Sequence, residues 1–288
     1  MSDYKQLVWL ASYPKSGNTW VRLFLDAYFL ADLNINDVVT SVSDDRAGLY
    51  AMGDGSKPER MPIELQHLAR PMAMMRLVTQ YNSANHGIPL YVKTHHANML
   101  ANGVEMLQFA LTKATVFIVR DPRDVVPSFA KHMGCDIDQA IEWMSDKYKT
   151  LASTEGCMSD FISSWDSHTL SFLNNDTHNV RVFQYENMRS DPVKEFTAIL
   201  KHSGVTAEPL RVRQALKLVE LDKLREQEKI DGFMESSIHA KNEFFGKGEV
   251  GGWKDKLTDK QKYTIEKRFG RVMKRLGYIS NKKAATWH

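Results

Sequence analysis

Short apolar runs alternate with longer amphipathic stretches along most of this chain. Residues 6–12 (QLVWLAS) form a short apolar run that stops at Tyr13-Pro14, which reads as a buried strand. Residues 18–33 carry Trp20, Val21, Phe24, Leu25, Tyr28 and Phe29 and read as a helix. Strand, tight loop and helix make the first half of a βαβ unit. Residues 34–60 hold few apolar runs and several Asp, Ser and Gly, so they read as a long loop or insertion. Further strands are expected at 89–93 (PLYVK), 115–119 (TVFIV) and 180–184 (VRVFQ). Asp121-Pro122 opens a helix, with Asp as N-cap and Pro in the first helical position. Helices are also expected over 136–153, 159–174, from Asp191-Pro192 to near Gly204, and over 208–228. Residues 230–252 are Gly-rich and irregular, whereas Thr258 and Gln261 form a capping box for a last amphipathic helix carrying Ile265, Phe269, Val272, Met273 and Leu276. The fold expected is α/β: one domain over 1–288, with a central, mostly parallel sheet flanked by helices on both faces.

Composition narrows the classes. A hydrophobic share of 43% with 25% charged residues supports one sizeable core in 288 residues. The net charge of +3 is too mild, and too little clustered, for a nucleic-acid binder, but it suits a local anion site. No apolar stretch approaches the roughly 20 residues of a membrane span, and the start, MSDYKQ, has no apolar signal region; a cytoplasmic enzyme is expected. Cys135 and Cys157 form no CxxC pair and no metal spacing, and read as small packing residues.

The loop Tyr13-Pro14-Lys15-Ser16-Gly17-Asn18-Thr19-Trp20 lies between strand and helix. Backbone N–H groups at a helix N-terminus, with the dipole behind them, make an anion cradle. Gly17 lets the backbone approach a ligand, Lys15 adds a full charge, and Ser16 and Thr19 add hydroxyls. The loop is P-loop-like without being GxxxxGK[ST], because the lysine precedes the glycine. His95 stands at the carboxyl end of a strand, where open α/β sheets bind ligands. In an extended chain its neighbour His96 points to the opposite side, while Lys93 points the same way as His95.

Four segments in order resemble the cytosolic-type sulfotransferases. PKSGNTW resembles their 5'-phosphosulfate loop, and Lys93-Thr94-His95 their KTH at a strand end. Arg120-Asp121-Pro122-Arg123-Asp124-Val125 with Ser128 resembles their 3'-phosphate segment. Gly246-Lys247-Gly248 with Gly251-Gly252-Trp253-Lys254 resembles their C-terminal loop. The resemblance spans residues 7 to about 275. It implies a transferase that moves a sulfuryl group from 3'-phosphoadenosine 5'-phosphosulfate to a hydroxyl or amine, without a metal.

The same resemblance distributes roles. Lys15 looks like the cation beside the departing phosphate oxygen, His95 like the general base, and Lys93 like a partner of the sulfuryl oxygens. Lys15, Ser16, Gly17, Asn18, Thr19 and Trp20 form the cradle for the donor. Arg120 and Ser128 would grip the 3'-phosphate, although Pro127 beside Ser128 removes a helix donor and should kink the helix there. Trp20 and Tyr185 match the adenine aromatics, with Leu221 on the other side of the ring. Lys247 and Gly248 belong to a loop expected to be mobile when empty and to close as a lid. Where the family has an arginine, this chain has Gly246; Lys241 and Lys254 are the nearest cations in sequence to compensate.

The acceptor, a small molecule or natural product, is not encoded legibly; Met72, Met74, Met75, Tyr81, Phe233 and Met234 could line an apolar pocket or pack the core. Lys260, Thr264 and Ile265 resemble the start of the family's dimer motif, but Phe269 replaces its glutamate, so monomer and homodimer both stay open. Two other readings use the same cradle: a P-loop-like kinase, which needs a magnesium-binding acid, and a nucleotide-binding module without catalysis.

Overall fold

The computed structural model describes residues 6–36, 43–44, 60–84, 89–153, 157–233, 235 and 244–280. In chain order the strands are β1 (Leu7–Ser12), β2 (Ser43–Asp44), β3 (Leu90–Thr94), β4 (Leu100–Ala101), β5 (Val104–Glu105), β6 (Thr112–Val119), β7 (Thr150–Leu151), β8 (Asp160–Phe161) and β9 (Val180–Gln184). The helices are α1 (Asn18–Leu30), α2 (Ile63–Ala84), α3 (Pro122–Met133), α4 (Ile137–Ser145), α5 (Trp165–Leu173), α6 (Tyr185–Ser190), α7 (Pro192–His202), α8 (Pro209–Leu218), α9 (Leu221–Asp231) and α10 (Asp259–Arg275).

Five parallel strands form the main sheet in the order β2-β3-β1-β6-β9. Because β1 is buried on both faces, it reads as a continuous apolar run, yet its side chains still alternate. Leu7, Trp9 and Ala11 face one helical layer, where α2, α3, α4, α5 and α10 pack. Val8 and Leu10 face the other, where α1, α6, α7, α8 and α9 pack. Phe117 and Val119 of β6 join the first layer; Ala114, Val116 and Ile118 join the second. The chain runs from β1 toward β3 and later returns to add β6 on the other flank of β1. That reversal opens a crevice at the carboxyl end of β1, where ligands bind in such sheets.

The predicted capping chemistry recurs in space. Asp121 and Asp191 accept from the Arg123 and Lys194 backbone N–H groups, and Thr258 and Gln261 complete the capping box; Asp136, not singled out in the sequence, caps α4 through the Gln139 N–H. Helix α3 is assigned without interruption through Pro127.

Other expectations need correction. Helix α1 stops at Leu30, because Ala31 takes a left-handed C-cap conformation. The 208–228 helix is two helices, broken at Val219-Glu220, which brings Val219, Leu221 and Leu224 to a cavity wall. Helices were expected to fill 136–153 and 159–174, but β7 and β8 pair there as an antiparallel ladder. The ladder sets the fully buried Asp160 beside His96 (Nε2–Oδ1 3.3 Å) and Arg70 (3.8 Å). The 34–60 insertion contributes the edge strand β2; its residues 37–42 and 45–59 lie outside the described ones.

Helix α2 was not expected at all. Its pattern is mixed: Gln66, His67 and Arg70 are buried beside the core residues Ala73, Met74 and Val78, while Leu65, Leu68, Met72 and Met75 are exposed. Pro71 within it adds a second contrary signal.

Removing one partner of a buried ion pair costs about 3–5 kcal/mol, because the other charge is left uncompensated. Asp160→Ala is therefore expected to lower the free energy of unfolding by about that amount, as read from urea titration; a loss within experimental error would show that Arg70 and His96 do not depend on it.

Candidate active site

A cavity of about 870 Å³ opens at the carboxyl ends of the main strands. Each of four strands delivers a side chain to it just past its last residue or at its end: Lys15 after β1, His95 after β3, Arg120 after β6 and Tyr185 after β9. Every sequence-predicted site residue lines it except Ser16, which is fully buried beneath the loop with its hydroxyl lacking a partner.

The loop after β1 is shaped by two positive φ angles, 69° at Lys15 and 109° at Gly17. At Gly17 a Cβ would come within 2.7 Å of the Tyr185 ring, so a side chain is barred twice over, by conformation and by contact. Asn18 turns its amide back to Leu10 O (2.8 Å) and Ser12 Oγ (3.3 Å), so the side chain clamps the end of β1 and leaves its backbone at the helix start. Lys15 Nζ sits 4.0 Å over the Phe244 ring. Burial pushes the Lys15 ammonium down to about 8; Glu235 opposes the shift, while Lys131, Lys93 and Arg120 add to it.

His95 is held from below. Its Nδ1 lies 2.8 Å from Ser12 O and 3.3 Å from Ser12 Oγ. A proton on Nδ1, donated to that carbonyl, leaves the lone pair on Nε2. The His95 carbonyl in turn lies 3.2 Å from His168 Nε2. Burial drives His168 down to about 3, so it stays neutral and can only donate there. His96 points away, as expected: it is fully buried, accepts from Phe161 N–H (3.1 Å) and does not line the cavity.

Arg120 stacks 4.3 Å over the Tyr185 ring and donates to Glu249 O (2.9 Å), while its buried Nε has no partner. Tyr185 donates to Gly248 O (3.1 Å), and Trp20 meets it edge-on at 6.1 Å. The second arginine of the segment is structural, since Arg123 pairs with Asp121 (2.6 Å) and Glu266 (2.7 Å). Asp124 accepts from the backbone of Gly251 (2.7 Å) and Trp253 (2.9 Å), and Arg225 donates to Phe245 O and Gly246 O. The described part of the C-terminal loop is thus tied at several points, although Lys247 itself is 77% exposed.

Several lining residues escaped the sequence reading: Lys131, Arg189, Glu235, Phe244 and Lys256. None carries a motif; only tertiary folding brings them in. Arg189 stands beside Gly248 and 5.5 Å from the Trp20 ring, nearer the missing arginine's role than Lys254, which does not line the cavity; Lys241 lies outside the described residues. Met72, Met74, Met75, Tyr81 and Phe233 do not line the cavity either: Met72 and Met75 are exposed, Met74 and Phe233 are buried in the two cores, and Tyr81 is partly buried against the first. Met234 lies outside the described residues. Phe269 and Ile265 are buried in the first core, with Phe269 5.4 Å from Trp165, which accounts for an apolar residue where the dimer motif has glutamate. Among the described residues no group of His, Cys, Asp and Glu could hold a metal ion, and no helix is long and apolar enough to cross a membrane.

Lysines and arginines wall a cleft at the reversal point of a parallel sheet, an arrangement that focuses positive potential. The chain belongs to the sulfotransferase family: the family model for the sulfotransferase domain matches residues 5–277. Sulfotransferase 1A1 from Bos taurus is 24% identical over 278 residues, covering 92% of this chain and 82% of the relative. The fold is shared with retinol dehydratase, solved with androsterone and the inactive cofactor PAP (TM-score 0.62, 15% identity, 98% of this chain and 84% of that one). It is shared too with mouse sulfotransferase SULT7A1, solved with PAP (TM-score 0.58, 16% identity, 96% and 86%).

A lysine holds an anion best while charged, so any anion held at Lys15 should be held less tightly as pH rises through about 8. Affinity for PAP, titrated against pH, is expected to bend down near that value, and Lys15→Arg, which stays charged, should move the bend upward. A bend left in place by the arginine would assign it to another group.

Proposed function

We propose that this chain transfers a sulfuryl group from 3'-phosphoadenosine 5'-phosphosulfate to a hydroxyl or amine of a small-molecule or natural-product acceptor, by in-line displacement. The observation that carries the reading is the convergence of Lys15, Lys93 and His95 on one cavity, with the His95 tautomer set by Ser12 O. The residues fit such a donor: Arg120, which lines the cationic cleft, has a buried Nε without a partner, and PAP is bound in the retinol dehydratase and SULT7A1 structures.

The donor supplies an electrophilic sulfur and a stable phosphate leaving group. His95 Nε2 takes the acceptor's proton as its oxygen or nitrogen bonds to sulfur. Lys15 stands at the cradle, where the sulfur–oxygen bond to the 5'-phosphate breaks and charge collects, so it favours the transition state over the ground state. Lys93 neutralises the sulfuryl oxygens. Arg120 and Ser128 hold the 3'-phosphate with Lys247 above them, and Trp20, Tyr185 and Leu221 hold the adenine. Residues 244–252 form the described part of the lid over the nucleotide; 234 and 236–243 of the expected lid lie outside the described residues. The kinase reading shares the cradle but requires a divalent metal.

A radiolabelled sulfuryl donor offered with a panel of phenols, alcohols and amines tests the reading directly; full activity in a chelator separates it from a kinase, and a donor bound without transfer to any acceptor would leave only a nucleotide-binding module. His95→Ala should lower kcat on an unactivated alcohol by about 10² or more with donor affinity little changed, and normal turnover would remove His95 as base. Lys15→Ala should damage turnover and donor affinity together; wild-type values for both would place the donor elsewhere.

A further inference from the structure

One carboxylate sits among the cations just assigned to the donor. Glu235 Oε2 accepts from Arg22 Nη2 at 2.5 Å and from Thr19 Oγ1 at 3.3 Å, and its Oε1 lies 3.8 Å from Lys93 Nζ. The Lys15 ammonium feels the same charge, which is the largest influence holding its pKa up. Glu235 comes from the segment after α9, far along the chain from every strand end it reaches.

Arg22 makes the arrangement unusual. It lies on α1 one turn past Thr19, only 1% exposed, and its Nη2 also donates to Thr19 Oγ1 at 3.3 Å. Its Nε is buried without a partner. A guanidinium buried beneath an anion cradle is costly unless an anion stands over it. In this structure that anion is Glu235. A carboxylate offers two oxygens spaced much like two oxygens of a sulfonate or phosphate, and it contacts the hydroxyl and the lysine that the donor reading gives to the phosphosulfate. Two anions cannot share those cations in a partly dry cleft, where like charges repel strongly.

We propose that Glu235 is a stand-in anion that fills the phosphosulfate subsite while the donor is absent, and that Arg22 is a further donor-binding cation uncovered when Glu235 leaves. This rests on the donor assignment above. On it, donor binding is an exchange of one anion for another, and the Glu235 carboxylate gives up Arg22, Thr19 and Lys93 as the phosphosulfate arrives. Affinity then depends on charge at that one point: a nucleotide without an anionic group there has nothing with which to displace the carboxylate.

Calorimetry with 3',5'-diphosphoadenosine and with 3'-phosphoadenosine 5'-phosphosulfate tests this on the full chain. Glu235→Gln keeps the shape and an acceptor for Arg22 but removes the competing charge, so both nucleotides should bind about tenfold tighter or more, from the worth of a charge-assisted contact. Arg22→Lys in the Glu235→Gln background should give back about that factor. If wild type binds and Glu235→Gln binds equally or more weakly, Glu235 is a structural latch and the proposal fails. Tighter binding that Arg22→Lys leaves untouched removes Arg22 from the subsite. If Arg22→Lys does not fold, Arg22→Gln on the same background replaces it, and the single Glu235→Gln titration still decides the exchange. Wild type binding neither nucleotide overturns the donor assignment itself, and this inference with it.

Discussion

Parallel pairing of β1 with both of its neighbours is the constraint on which the rest of the molecule depends. Leu10 lies opposite Lys93 and Ala11 opposite Thr94 on one side; Ala11 lies opposite Phe117 and Ser12 opposite Ile118 on the other. That register brings three strand ends to one level, so that loops far apart in sequence meet over the last turn of backbone. The bond between His95 Nδ1 and Ser12 O is its direct result, since the histidine of one strand is oriented by the carbonyl of the next. A slip of one residue would turn Lys93 into the core and Thr94 toward the cleft.

Electrostatics in the cleft follow from this geometry more than from composition. The whole chain carries only +3, yet Lys15, Lys93, Arg120, Lys131 and Arg189 share one cavity. Burial, with the neighbouring cations adding to it, lowers the Lys15 ammonium. Three devices restrain them: aromatic faces under Lys15 and Arg120, backbone carbonyls such as Glu249 O, and the Glu235 carboxylate. The neutral His168 beneath His95 belongs to the same economy, because it fixes the loop without adding another charge.

Much of this was legible in the sequence. The strands, the aspartate-proline caps, the capping box and the loop residues all use local chemistry that survives in any context. The KTH register separated His95 from His96 correctly because strand side chains alternate. What failed was where tertiary context overrides pattern. In α2 polar Gln66 and Arg70 face inward to serve Ser159 and Asp160, so apolar periodicity misleads. The β7–β8 ladder exists to carry Asp160 to its partners, and nothing local announces it. Glu235 and Arg189 reach the cleft only through the path of the folded chain; of the residues that could line an acceptor pocket or pack the core, Met74 and Phe233 pack in the cores, while Met72 and Met75 are exposed.

The Asp124 carboxylate has a consequence for the energetics of the whole C-terminal third. It belongs to the first turn of α3, directly after Arg120, and it holds the amides of Gly251 and Trp253. The start of α3 and the described part of the C-terminal loop are therefore joined by two hydrogen bonds, so that separating them breaks both. By linkage, a ligand bound to either part stabilises both, and its binding energy appears as slowed hydrogen exchange at Gly251 and Trp253. Loss of such a ligand would correspondingly show first as faster exchange at those two amides.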